Sequence, residues 1–172
     1  PIADGDNQEA LRRYEFIQKF LKESKQFGAQ RRDSEKKACA TAMENLAITT
    51  GLMDVNRLMW QMESQKIAQI KPLMEPAILD GVSVWLTIDE HGDAGIAMEK
   101  AGKAIKTAPK SFAKNEVFLE LKATVKELKD LKRRSKESME RAIMECTLFG
   151  LGELQNICDN PILAPMVLSL VW

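Results

Sequence analysis

One histidine, His91, and three scattered cysteines, Cys39, Cys146 and Cys158, are all the imidazole and thiol side chains in this sequence. The cysteines are odd in number and no two stand at ligand spacing, which excludes a disulfide framework and points to a reducing, cytoplasmic compartment. Aromatic residues make up only 6% of the chain, so side chains able to stack on bases are few. No apolar run approaches the roughly 18 residues that a membrane span requires, and nothing reads as a signal peptide, so no membrane partner is expected. Lys plus Arg and Asp plus Glu both total 25, and net charge gives no pull toward nucleic acid or anionic lipid. A Gly-rich phosphate loop, His-Glu-x-x-His, paired Cys-x-x-Cys and Gly-x-Ser-x-Gly are all missing. These absences leave no catalytic residue, cofactor-binding residue or metal ligand to nominate.

What is present suits a folded module. The chain has 172 residues, 45% of them hydrophobic and 29% charged, which is enough to bury a core without staples. A single helical module with a β-meander insertion is expected, cut from a longer protein. The closing stretch from Pro161 to Trp172 is strongly apolar and would leave a patch unless something covers it. Met166, Leu170 and Trp172 are therefore candidate partner contacts, the partner being another domain of the parent chain or a separate protein.

Hydrophobic spacing divides the chain. Leu11, Tyr14, Ile17, Phe20 or Leu21, and Ser24 predict an amphipathic helix over residues 8–26, ended by Phe27-Gly28. Asp33 and Ser34 are candidate N-caps of a second helix burying Ala38, Cys39, Ala42, Met43, Leu46 and Ala47, which stops at Thr49-Thr50-Gly51. Asp54 caps a third, with Val55, Leu58, Met59, Met62, Ile67 and Ile70 inward and Pro72 and Pro76 beyond it. Short connections predict that the three pack as antiparallel neighbours.

The period then falls to two. Val82, Val84, Leu86 and Ile88 alternate with Ser83, Trp85 and Thr87, and further strands are expected over 94–99 and 103–107. This predicts a three-stranded antiparallel meander over about 82–107. One long helix follows, over about 115–147. Its seam of Phe118, Val125, Lys132, Met139 and Cys146, with Leu121, Leu128, Ser135 and Ala142, is apolar at both ends and polar at its waist. Part of so long a helix is expected to project, or to pair with elements outside this sequence. A short helix over 153–158 and another begun by Asn160-Pro161 complete a mainly α fold.

Three constellations invite chemistry. His91 lies among Asp89, Glu90 and Asp93, but adjacent turn residues point apart, and a polar hairpin turn is the expected outcome. Trp60, Trp85 and Trp172 suit core or interface anchors better than a stacking box, and Met53, Met59, Met62 and Met74 suit adaptable packing. Between Lys100 and Arg141, thirteen Lys or Arg face six acids, an excess of seven that the rest of the chain balances. Lys126, Lys129, Lys132, Arg133, Arg134 and Lys136 are the candidate nucleic-acid contacts, set against i,i+4 pairs such as Arg133–Glu137 that suit a solvated face.

Several stretches look alike to a known group. Phe27-Gly-Ala-Gln-Arg-Arg-Asp-Ser-Glu35, Ala42-Met-Glu-Asn-Leu-Ala47, Asp54-Val-Asn-Arg-Leu-Met-Trp-Gln-Met-Glu63, Leu86-Thr-Ile-Asp-Glu-His-Gly92, Gly102-Lys-Ala-Ile-Lys-Thr-Ala-Pro109, Ser138-Met-Glu-Arg-Ala-Ile143 and Asn160-Pro-Ile-Leu163 with Leu170-Val-Trp172 resemble a region of large bacterial proteins called molybdate metabolism regulators, which carry a domain of unknown function. The resemblance implies a long parent with helical repeats, sometimes with a DNA-contacting WGR module; none is visible in this chain. It carries no active site onto these positions, and no oxyanion pocket is apparent. The expected role is a non-catalytic scaffold or interaction module of a regulatory protein, with nucleic-acid binding through the long helix as the alternative.

Overall fold

The computed structural model describes residues 7–168, and its chain divides into two compact units, Pro1–Lys66 and Ile67–Trp172. The mainly α reading holds in both.

The first unit is helical. α1 (Asn7–Glu23) buries Ala10, Leu11 and Tyr14 and leaves Arg12, Arg13 and Lys19 outside. Gly28 does not end it with a left-handed cap. The chain instead tightens into a 3₁₀ turn, Ser24–Gln26, where the Ser24 hydroxyl donates to the Leu21 carbonyl at 3.0 Å. Gly28, at φ −61° and ψ 161°, is the N-cap of α2 (Ala29–Thr49). Asp33 and Ser34 therefore lie a turn inside α2, not at its start. Arg31 supports the earlier beginning by lying over the Phe27 ring at 3.5 Å and donating to Glu35 at 2.7 Å. The buried face of α2 is Cys39, Met43, Leu46 and Ala47, whereas Ala38 is exposed and Ala42 half-buried. Its end is a Schellman closure: Leu52 N–H donates to Ala47 C=O at 2.9 Å, Gly51 N–H to Ile48 C=O at 3.1 Å, and Gly51 takes φ +72°.

α1 and α2 pack on each other. α3 (Val55–Ile70) is capped as expected, with Asp54 Oδ1 accepting from Arg57 N–H at 2.9 Å. It reaches α1 through polar groups. Tyr14 Oη donates to Glu63 Oε1 at 2.6 Å in a buried setting, and Lys66 Nζ lies 3.4 Å from Glu15.

The second unit takes the last turn of α3 and a 3₁₀ turn, Lys71–Met74, and then forms an antiparallel sheet in the order β1 (Ala77–Leu79), β2 (Val82–Ile88), β3 (Ala94–Lys100), β4 (Lys103–Ala104). Four strands stand where three were expected. β1 escaped notice because three residues are too few to show alternation and its centre, Ile78, faces solvent. The predicted strand over 103–107 shrinks to β4, although Ile105 N–H still donates to Met98 C=O at 2.9 Å. In the β2–β3 register Val84 opposes Met98 and Leu86 opposes Ile96, setting one apolar face against α4.

α4 (Glu116–Met144) is the longest helix, 29 residues, and Asn115 caps it by accepting from Phe118 N–H at 3.2 Å. Phe118, Leu121, Leu128, Leu131, Ser135, Ser138, Met139 and Ala142 are buried. The expected projecting portion is not found, since this inward stripe runs nearly end to end. Cys146, placed in the predicted seam, lies past the helix end and is exposed. α5 (Leu151–Cys158) and α6 (Ala164–Leu168) pack together.

Candidate interaction surfaces

The polar waist of α4 anchors the β2–β3 turn. Lys132 Nζ meets Asp93 Oδ1 at 2.7 Å, and the turn is closed from within by Asp89, whose Oδ1 accepts from Asp93 N–H at 2.8 Å and His91 N–H at 3.0 Å. Those amides, Asp93's above all, hold the Asp89 carboxyl below the usual carboxylate range. Gly92 is buried at φ +75°, and a Cβ there would stand 2.9 Å from the Ile162 carbonyl oxygen. Ile162 is fixed in turn by Asn160, whose Oδ1 accepts from Ile162 N–H at 2.9 Å and Leu163 N–H at 3.3 Å. Three sequence motifs thus meet: Lys132 bonds to Asp93 across elements, while Asp89 and Asn160 each hold their own turn.

His91 itself faces solvent, 3.8 Å from Glu90. Among the described residues no three of His, Cys, Asp and Glu are grouped to hold a metal ion, and no helix is long and apolar enough to cross a membrane. Trp60 is buried in α3 and Trp85 is half-buried in the sheet, while Trp172 and Leu170 lie outside the described residues. Met166 is half-buried on α6. None of the three cysteines is in a disulfide, and burial pushes the Cys39 thiol up.

The basic residues of α4 separate into two groups. Lys126, Lys129, Arg133 and Lys136 are exposed and, with Lys122, recur at spacings of four and three, so they share one outward stripe. Arg133 pairs with Glu137 at 3.4 Å and Lys136 with Glu140 at 3.8 Å. Lys132 and Arg134 do not belong to it. Helix geometry turns Lys132 toward the hairpin, where Asp93 holds it, and leaves Arg134 half-buried on the opposite flank.

A second surface was missed by the sequence reading. Where α4 ends, Ile143, Met144, Leu148 and Leu151 are 51%, 84%, 86% and 75% exposed. The helix closes there on Cys146 at φ +53°, with Thr147 N–H donating to Ala142 C=O at 2.9 Å and Cys146 N–H to Ile143 C=O at 3.1 Å. A left-handed cysteine in the place glycine usually takes turns the chain sharply and leaves apolar side chains on both sides of the bend. The departure of Ile143 and Met144 from the inward stripe of α4 was the available signal.

Comparison with known proteins adds two partial likenesses. Residues 1–62 are similar to a family of unknown function (DUF5724), and residues 102–172 to a domain of unknown function (DUF4132). Each covers less than half of the chain. The two stretches fall in different compact units. No curated protein and no solved structure matches the chain.

Proposed function

We propose that this chain is a non-catalytic interaction module of a larger, molybdate-metabolism-regulator-like bacterial protein working in the reducing cytoplasm. The observation that carries the reading is the apolar ridge of Ile143, Met144, Leu148 and Leu151, four large side chains in water around one helix end. Full burial of such a side chain contributes about 1.5–3 kcal/mol, and a protein or domain contact would recover most of that for Met144, Leu148 and Leu151 and about half for Ile143. Cys146 sits inside the ridge and reports on its cover. Alkylation of Cys146, followed by peptide mass spectrometry to separate it from Cys158, should be rapid in the isolated chain and at least about tenfold slower in the intact parent. Equal rates in both would remove the support for this reading.

The exposed stripe of Lys122, Lys126, Lys129, Arg133 and Lys136 favours nucleic-acid binding as a second reading. Affinity for duplex would then fall steeply with salt, and Lys126→Glu with Arg133→Glu would weaken it while Lys132→Ala would not. Undetectable binding at low salt rejects it.

A further inference from the structure

Helices α1 and α2 leave an unfilled groove between them of about 650 Å³. Ile17 and Leu46 are its more buried lining residues, Phe16 forms the α1 bank and Thr49 the α2 bank, and Arg12 and Arg13 line it one turn earlier on α1. Phe16 is 68% exposed and stacks with Phe20 at 6.5 Å between ring centroids, while Ile48, beside Thr49, is 74% exposed. The Thr49 hydroxyl donates at 2.6 Å to its own helix at the Asn45 carbonyl, so its hydrogen is committed away from the groove. Asn45 adds one polar side chain to the α2 bank, so the groove is mainly apolar and cationic at one end.

The cationic end has donors to spare. Arg12 forks onto Glu9 through Nε at 2.7 Å and Nη2 at 3.0 Å. Arg13 gives the same carboxylate only Nε, at 2.7 Å, and its terminal amino groups have no partner among the described residues. Two guanidiniums thus share Glu9, and a second carboxylate would complete the arrangement. Most of the lining residues are themselves exposed, which makes an open trough rather than an enclosure able to surround a small molecule. An open, mainly apolar trough between two packed helices can seat the apolar face of a third helix.

We infer that the α1–α2 groove receives an amphipathic helix from a protein partner, its apolar side chains entering over Ile17 and Leu46 and an Asp or Glu pairing with Arg13. The inference rests on reading the chain as an interaction module, but on a surface separate in sequence from the α4–α5 ridge.

The test uses the 172-residue chain and a synthetic helical peptide of about 18 residues carrying Leu at three-to-four spacing flanked by Glu, with a matched peptide carrying Lys in place of Glu. Binding of the Glu peptide should saturate, shift the methyl resonances of Ile17 and Leu46, and exceed that of the Lys peptide at least about tenfold. Arg13→Glu should abolish that preference and Phe16→Asp should weaken both peptides, with circular dichroism unchanged because both positions are exposed. Leu148→Asp should leave binding intact, so a failure at the groove is distinct from a failure at the ridge. Absence of saturable binding, or binding indifferent to Arg13, overturns the inference. So does self-association abolished by Phe16→Asp, which would give the groove to a second copy. Stabilisation by decanoate without any peptide binding would give it to a small anionic amphiphile.

Discussion

The two units bury polar groups by different means. In the first, a carboxylate is carried fully into the interior: Glu63 is 1% exposed and accepts from the Tyr14 phenol. In the second, the buried polar groups are neutral, Ser135, Ser138 and Asn160, and the charges stop at the boundary, where Lys132 meets Asp93. A buried carboxylate needs donors at fixed places, so the first unit uses side-chain hydrogen bonds between helices, Tyr14 to Glu63 among them. The second depends on backbone proximity, with Gly92 lying against Ile162 and Asn160 holding its own turn. Helices meeting through side chains tolerate small shifts; a glycine against a carbonyl does not.

The comparison is most strongly tested at Gly92. Gly92→Ala places a Cβ 2.9 Å from the Ile162 carbonyl at a positive φ, and urea unfolding should register a loss of about 2–4 kcal/mol. Gly81→Ala is the control, since Gly81 has the same φ of +75° with nothing within 4 Å, and should lose only about 1–2 kcal/mol. Equal losses would mean that backbone conformation alone matters and that the Ile162 contact contributes nothing.

A smaller effect is expected in the first unit. Tyr14→Phe removes one donor from buried Glu63 and should cost about 1–3 kcal/mol by the same measurement. A neutral result would show that the remaining surroundings of Glu63 suffice, and the contrast between the units would narrow.

The smallest effects are electrostatic. The Arg12 and Arg13 guanidiniums hold the Glu9 carboxyl at about 2, against 4.5 for the free group. A depressed carboxyl pKa contributes stability that is fully present above about 4.5 and disappears as pH falls toward 2. Asp89 is lowered in the same direction, chiefly by the Asp93 amide. Carboxyl-carbon NMR titrations in low and high salt should therefore differ between the two. Salt should return Glu9 toward 4.5, because it screens exposed guanidiniums, and should leave Asp89 nearly where it was, because a local amide is not screened.

Much of the fold was legible because each element carries its own pattern. The stripe from Phe118 to Ala142 repeats every three or four residues, and β2 alternates for seven residues, so neither depended on context. Boundaries were legible where a side chain or glycine acts within a few residues, as at Asp54, Asn115 and Gly51. They failed where distant or unusual contacts decide. Gly28 looked like a helix end and is a helix beginning, and β1 exists because its three residues pair with Val82–Val84. The candidate basic contacts were half legible: spacing of four and three selects Lys126, Lys129, Arg133 and Lys136, but composition alone could not detach Lys132 and Arg134.

By itself the sequence determined the mainly helical character, the order of the longer elements and most of the apolar face of each long helix, because periodicity is local and the hydrophobic effect acts on every stripe alike. Tertiary structure alone decided which polar residues were consumed and which left outside. Lys132 bonds to Asp93, Glu63 to Tyr14, and Gly92 is pressed against Ile162, while the ridge around Cys146 and the groove beside Arg13 stay open. These outcomes depend on residues far apart in the chain meeting at hydrogen-bonding distance, and no local pattern encodes that meeting.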